Sequence, residues 1–265
     1  MNLKRIYAII IRQLFLLRKN FTRFVNIFLW IALDVILWGF ITQYLNNVSK
    51  AEFSFVPAIL GAVILWGFLV RVQQGVILSF FEDMWSQNFL NLFASPIKTT
   101  EYILGLIGAS IITSVAGLSF ITVIASVAFN YNLLAIGLPL LLFLLVMFIF
   151  GLALGIITIS FTLRFGPAGE WLAWIFPFLL GPLSGIIYPI SILPNILQII
   201  SKIIPPSYVF EGLREIVFKK TFSPELLITG ALIAFIYLFL SYLIFVYTFK
   251  IVKRKGLLAR FSSEG

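Results

Sequence analysis

Residues 133–161 read LLAIGLPLLLFLLVMFIFGLALGIITISF and contain no charged side chain. A helix that crosses a bilayer needs roughly 20 mostly apolar residues, so this stretch is long enough to do so. Similar runs lie on both sides of it, at 24–45, 55–80, 102–128, 170–188 and 224–249. The sequence therefore predicts an all-α integral membrane protein with six transmembrane helices.

The composition of the 265-residue chain agrees with this fold class. Hydrophobic residues make up 61% of the chain and charged residues 11%, whereas soluble domains have about half and about a quarter. The mean hydropathy is +1.09. The chain has neither cysteine nor histidine. This absence excludes disulfides, thiolate nucleophiles, imidazole acid–base chemistry and zinc sites built from those ligands.

The basic residues predict the orientation of the chain in the membrane. Most of the 19 Lys and Arg residues fall in segments on one side of the six predicted spans, which include both termini. Because loops rich in Lys and Arg stay in the cytoplasm, we expect a multi-pass protein of the cell (cytoplasmic, inner) membrane with both termini cytoplasmic. The net charge of +9 then belongs to the flanks of the spans, and no nucleic-acid partner is expected.

The N-terminal segment 1–23 is predicted to be an amphipathic helix in the membrane interface. Its basic residues include Lys4, Arg5, Arg12 and Lys19, and at helical spacing these gather away from an apolar face. That face consists of Leu3, Ile6, Tyr7, Ile10, Leu14 and Leu17. We therefore expect a single transmembrane domain over 1–265, with this helix, a six-span core at 24–250 and a cytoplasmic tail at 251–265.

Two segments between the spans are unusual. Residues 81–100 read FEDMWSQNFLNLFASPIKTT, which predicts a short amphipathic cytoplasmic helix that ends before a proline. The external segment 184–223 contains four prolines, at 189, 194, 205 and 206, which cut an apolar region into short helices. Such pieces cannot span the bilayer, so they are predicted to be re-entrant or interfacial.

Asp34 is the most unusual single residue, because it is predicted near the middle of the first span. An ionised side chain at that depth is costly unless it is paired or hydrated. Two interpretations are open. Asp34 lines a transport route, or it is a buried carboxylate that pairs with a partner such as Arg71 in the second span.

Catalytic motifs are missing from the sequence. No G-x-x-x-x-G-K-[ST] phosphate-binding loop occurs, so we expect no ATP hydrolysis by this chain, no enzyme activity and no cofactor of its own. The intramembrane and loop charges leave two other functions open. One is a membrane enzyme with Asp34 or Glu170 as the acid or base. The other is a channel or proton-coupled secondary transporter that uses Asp34 and Arg71 as a relay.

The arrangement resembles the membrane subunit of type-2 ABC exporters over nearly the whole chain. The most specific similarities are EDMWSQNFLNLFASPIKTTEYILG at 82–105, which is similar to the coupling-helix segment of the family, and SGIIYPISILPNILQIISKIIPPSYVFEGLRE at 184–215, which is similar to its external signature. The coupling candidates are Glu82, Asp83, Trp85, Phe89, Leu92, Ser95 and Pro96. The external signature candidates are Tyr188, Pro189, Pro194, Pro205, Tyr208, Glu211 and Arg214.

The resemblance implies a permease that works with partners. These are a second copy or a similar subunit and a separate cytoplasmic ATPase, which binds the ATP and Mg and docks on the coupling helix. The implied activity is export of an amphiphile, namely a lipid-linked glycan or polysaccharide, a drug or a lipid. The apolar side chains of 82–95 would supply most of the contact energy, and the acidic pair Glu82 and Asp83 would orient the ATPase.

Overall fold

The computed structural model of the chain describes residues 2–49, 56–88, 91–92 and 95–255, without the side chains of 22–24, 26, 27 and 49. The all-α fold class is confirmed, since these residues form helices and turns and no strand. The helices are α1 (Leu3–Lys19), α2 (Phe21–Ser49), α3 (Val56–Trp85), α4 (Thr99–Phe129), α5 (Leu138–Phe165), α6 (Leu172–Leu183), α7 (Asn195–Ser201), α8 (Pro205–Arg214) and α9 (Pro224–Arg254).

Helix α3 forms the centre of the bundle. In the spanning windows, 72% of the α3 residues are buried, against 17% in each of α2 and α9. Small residues bring the neighbours close to α3. A Cβ at Gly151 of α5 would lie 2.9 Å from the Leu69 carbonyl oxygen, and one at Gly75 would lie 2.6 Å from Ser110 Oγ of α4. Helices α2 and α9 therefore lie at the periphery, with apolar side chains facing outward.

The two ends of α3 define the two ends of the bundle. The Asp83 end also holds Glu101 at the start of α4, and it is the end predicted to be cytoplasmic. At the opposite end, which we name the Arg214 end, Tyr131 donates a hydrogen bond to the Pro57 carbonyl oxygen. There the ring of Trp66 also lies 6.3 Å from that of Phe210 in α8. Helices α2, α3, α4 and α9 each match one predicted span within a few residues.

The predicted fifth span differs from the structure. Helix α6 has 12 residues, about 18 Å, and is shorter than the roughly 30 Å hydrocarbon core. It follows α5 through a 3₁₀ turn at Gly166–Trp171, and the two helices form one apolar stretch, Leu138–Leu183. The described residues thus contain five stretches long and apolar enough to span, rather than six. The break itself lies between the predicted spans 133–161 and 170–188, and it begins at Gly166 with φ +77°.

The predicted N-terminal helix is present as α1. Ile9 and Gln13 are buried, and Leu3 and Tyr7 of the predicted apolar face are exposed. The buried side packs on the glycine surface of α4, where a Cβ at Gly105 would lie 2.5 Å from Ile9 Cγ2. Helix α1 therefore packs on the protein, and its position relative to a membrane interface stays a prediction.

Candidate coupling and transport sites

The predicted coupling segment begins as the last turn of α3. The helix continues through Trp85 and ends in a turn at 86–88, where Gln87 has φ 53°. Helical residues return at 91–92. Phe89 lies outside the described residues. The segment is thus continuous with the central helix of the bundle, so a force on Trp85 acts directly on α3.

Trp85 is the most prominent side chain at this end. It is 60% exposed, and its Nε1 donates a hydrogen bond of 2.9 Å to Glu170 Oε1 in the turn after α5. Its ring centroid lies 5.6 Å from that of Phe81. In the same turn Trp171 is also exposed. The two connecting segments of the Asp83 end therefore present one surface that carries two exposed tryptophans and a carboxylate.

Asp83 is buried, whereas the resemblance implied that it faces the ATPase. It is 0% exposed and forms an ion pair with Arg12 of α1. Its Oδ2 accepts a hydrogen bond of 2.7 Å from Tyr102 Oη of α4. Gln13 Nε2 donates to the Ser79 carbonyl oxygen at 3.2 Å. The burial of a carboxylate is costly without such partners, and here the partners join α1, α3 and α4 at one point.

Glu101, which follows the coupling candidates in the chain, forms a second buried contact. It is 1% exposed, and its carboxylate accepts hydrogen bonds from the backbone N–H of Asn2 at 2.7 Å and of Lys98 at 3.1 Å. Arg5 Nη1 lies 3.4 Å from Glu101 Oε2 and donates to the Pro96 carbonyl oxygen at 2.5 Å. The carboxylate thus caps α4 and also binds α1.

The remaining described coupling candidates differ in exposure. Pro96 is exposed, Glu82 and Leu92 are partly buried, and Leu92 packs against the apolar core of the same chain. Ser95 Oγ donates to the Leu92 carbonyl oxygen at 2.5 Å. Among the described coupling candidates, the exposed apolar surface therefore comes mainly from Trp85.

Asp34 and Arg71 do not form the predicted pair. Asp34 is an exposed residue on α2, and no hydrogen bond or ion pair joins its side chain to the other residues that the structure describes. Arg71 is 3% exposed within α3. Its Nη2 lies 3.5 Å from Gln74 Oε1, and its side chain packs against Gly117 of α4. The geometry therefore does not support the second interpretation, a buried pair with Arg71, and the first, a transport route lined by Asp34, stays a prediction.

The external signature residues form a compact clamp at the Arg214 end. Arg214 Nη1 donates to the Gly185 carbonyl oxygen at 2.7 Å, and Nη2 donates to Glu211 Oε1 at 2.9 Å. The same Glu211 oxygen accepts the Ile190 N–H at 2.9 Å. Arg214 and Glu211 therefore hold α8 against the turn that follows α6, where Gly185 has φ +68°.

The other signature residues shape the segments around this clamp. Tyr188 Oη donates to the Pro182 carbonyl oxygen at 2.8 Å, and Tyr208 Oη donates to that of Lys202 at 2.7 Å. Pro194 is the N-cap of α7 and Pro205 is the first residue of α8, and Pro189 precedes the 3₁₀ turn Ile190–Ile192. Prolines favour helix starts because they lack the N–H that a first turn leaves unpaired.

Glu215, Lys219 and Ser223 close the connection to α9. Ser223, the N-cap residue of α9, donates its hydroxyl to Glu215, and Lys219 Nζ lies 3.0 Å from Glu215 Oε1. These hydrogen bonds, first that of Ser223, lower the pKa of Glu215 from its ordinary 4.5. The connection therefore keeps an ionised carboxylate at neutral pH.

Sequence reasoning missed the partners of the buried carboxylates. Arg12 was assigned to a solvated basic face, and Tyr102 was not singled out. One signal was available, since Arg5 and Arg12 are seven residues apart and so lie on one side of a helix. Glu170 was considered only as an acid or base, whereas it accepts the hydrogen bond from Trp85.

The comparisons with known proteins agree with this architecture. The sequence model of the ABC-2 type transporter family matches residues 5–218, from the first turn of α1 to the segment beyond α8. No curated protein matches the chain. Because the match covers most of the sequence and includes both the Asp83 end and the external clamp, this chain belongs to the ABC-2 type transporter family.

Proposed function

We propose that this chain is the permease subunit of an ATP-driven exporter. The substrate is an amphiphile, namely a lipid-linked glycan or polysaccharide, a drug or a lipid, and a separate ATPase subunit hydrolyses the ATP. The family match supports a membrane transport component that works with an ABC ATPase. The sequence has no phosphate-binding loop of its own, which is consistent with hydrolysis on another chain.

The observation that carries the proposal is the surface at the Asp83 end. Trp85 and Trp171 are large, exposed aromatic side chains on the two connecting segments of that end. Aromatic residues of this kind are the commonest energetic anchors of protein interfaces. Because Trp85 is the last residue of the buried central helix α3, a partner seated there can move the core of the bundle. We assign this surface to the ATPase.

Asp34 supports a second copy of the chain, or a similar subunit, across α2. Exposed Trp30, Leu33, Leu37 and Tyr44 share the outward part of α2 with Asp34. A carboxylate that faced hydrocarbon at mid-membrane would cost several kcal/mol. A second subunit that encloses a hydrated path along α2 removes this cost. In this arrangement Asp34 lines the transport route.

The geometry favours this function over the two alternatives. A direct proton relay needs Asp34 and Arg71 within reach of each other, and no hydrogen bond or ion pair joins these two described residues. An enzyme with Asp34 or Glu170 as the acid or base has less support from the contacts. Glu170 accepts a hydrogen bond from Trp85 at the Asp83 end, and Asp34 is a single carboxylate in the middle of α2.

Replacement of the proposed ATPase anchors tests the assignment. The double variant Trp85→Ala, Phe89→Ala is expected to fold and insert into the membrane but to lose the ATPase, because each aromatic anchor is worth about 2 kcal/mol or more. Phe178→Ala, which removes an exposed aromatic of α6, is the matched control and should retain the ATPase. ATPase retention on the affinity-tagged permease is the measurement. A double variant that keeps the ATPase and the normal export rate contradicts the assignment.

A further inference from the structure

Two buried carboxylates lie near the two ends of the predicted coupling segment 82–105. Asp83 lies at the end of α3, and Glu101 lies in the first turn of α4. Side-chain exposure is 0% for Asp83 and 1% for Glu101. Acidic residues at the two ends of a connecting segment are normally solvated, so their burial here calls for specific partners.

Both carboxylates are bound by arginines of the same helix. Arg12 of α1 forms an ion pair with Asp83, and Arg5 lies 3.4 Å from Glu101. Seven residues separate the two arginines, which is close to two helical turns, so both project from one side of α1 about 10 Å apart along its axis. Helix α1 therefore contacts the segment at its beginning and at its end.

Further contacts, located between the two ion pairs along α1, fix the position of this helix. Ile9, which lies between Arg5 and Arg12, is 3% exposed and packs on Gly105 of α4. Arg5 also donates to the Pro96 carbonyl oxygen inside the segment at 2.5 Å, and the backbone N–H of Asn2 donates to Glu101. A displacement of α1 along α4 would break several of these contacts together.

We propose that α1 is a clasp that fixes the coupling segment, with Arg12 holding its first end through Asp83 and Arg5 holding its second end through Glu101 and Pro96. Arg5 and Arg12 are positioning residues and need not touch the ATPase. Ion pairs suit this role better than apolar contacts. A buried charge that loses its partner is costly, so the two pairs resist a shift of α1 along α3 and α4. The consequence for ATPase docking rests on the proposed function, but the clasp itself does not.

Spin labelling tests the clasp without any ATPase. The chain has no cysteine, so Asn91→Cys, at an exposed position within the segment, gives a single labelling site. The full chain is placed in lipid nanodiscs, and the mobility of the label is compared among Arg5→Gln, Arg12→Gln and Lys4→Gln. Lys4 is an exposed basic residue of α1 and serves as the matched control.

We expect the spectrum to shift toward the mobile component in both arginine variants and to stay unchanged in Lys4→Gln. Arg12→Lys, which keeps the charge, should shift less than Arg12→Gln. If Arg12→Gln does not fold, Arg5→Gln still tests the clasp, because the Glu101 carboxylate keeps its backbone hydrogen bonds from Asn2 and Lys98 when Arg5 is replaced. A label that stays immobile in either arginine variant that folds overturns the two-ended clasp.

A second measurement separates this inference from the proposed function. Retention of the ATPase is measured on Arg5→Gln and on wild type. A loosened segment together with reduced retention supports both proposals. If the segment is loosened but ATPase retention and ATP hydrolysis equal those of wild type, the proposed clasp is supported and the docking assignment is overturned.

Discussion

Asp83 shows how a single residue acquires a role that its sequence context conceals. An acid in FEDMW at the end of an apolar helix suggests an accessible charge, and the family resemblance implied that Asp83 and Glu82 orient the ATPase. The structure buries it, because α1 folds back along α3 and α4 and supplies Arg12 and Gln13. Only the tertiary contact between α1 and α3 reveals this, and no local pattern in residues 81–100 encodes it.

The first prediction concerns the stability provided by Asp83. Asp83→Asn removes the charge that compensates Arg12, so the free energy of unfolding should fall by about 3 kcal/mol. Thermal denaturation of the purified chain in detergent is the measurement. Glu225→Gln, at an exposed carboxylate in the first turn of α9, should change the free energy by less than about 1 kcal/mol. Equal melting temperatures for the two variants would contradict the assigned ion pair.

The second prediction concerns Asp34. Because no described side chain pairs with it, Asp34→Leu breaks no ion pair within the chain and should leave the melting temperature nearly unchanged or raise it. Transport should fall strongly if Asp34 lines the route. Asp34→Asn, which keeps size and polarity, shows whether the charge matters. Normal transport together with a loss of stability as large as that of Asp83→Asn would contradict the assigned position.

At the scale of elements, the positions of the long apolar helices were predictable, and the short length of α6 was not. Helices α2, α3, α4 and α9 each carry enough consecutive apolar residues to fix their positions by hydropathy. The break at Gly166 falls between the predicted spans 133–161 and 170–188, whereas hydropathy does not show that α6 already ends at Leu183. The short helices α7 and α8 were foreseen, because Pro194 and Pro205 mark their starts. The attachment of α8 to the turn after α6 was not, since it depends on the contacts of Arg214 with Gly185 and Glu211.

The clamp at the Arg214 end gives the third prediction. Arg214→Lys cannot reach the Gly185 carbonyl oxygen and the Glu211 carboxylate at once, because lysine lacks the planar fork of arginine. Loss of a charged hydrogen bond should cost about 1.5–3 kcal/mol locally, so the Ile190 amide should exchange its hydrogen faster. Hydrogen exchange measured by mass spectrometry checks this. Lys202→Gln, at an exposed lysine, should leave the exchange unchanged, and equal rates in both variants would contradict the clamp.

For the whole molecule, the fourth prediction concerns topology. Five apolar stretches support a multi-pass membrane protein, and the distribution of basic residues predicts that the Asp83 end is cytoplasmic. A single cysteine at Asn91 should react with a membrane-impermeant thiol reagent only after cells are opened. A cysteine at Lys202, near the Arg214 end, should react in intact cells. The reverse pattern would contradict the orientation and move the proposed ATPase surface to the outside.

In the proposed function, the chain forms a transport pathway whose energy comes from another subunit. ATP hydrolysis by the purified chain, alone and together with its ATPase, is the measurement that distinguishes this arrangement from hydrolysis within the chain. We expect no hydrolysis by the chain alone, because it has no phosphate-binding loop. We expect hydrolysis by the complex, and it should stop when the phosphate-binding lysine of the ATPase is replaced. Robust, azide-insensitive hydrolysis by the chain alone, free of contaminating ATPase, would contradict the proposed arrangement.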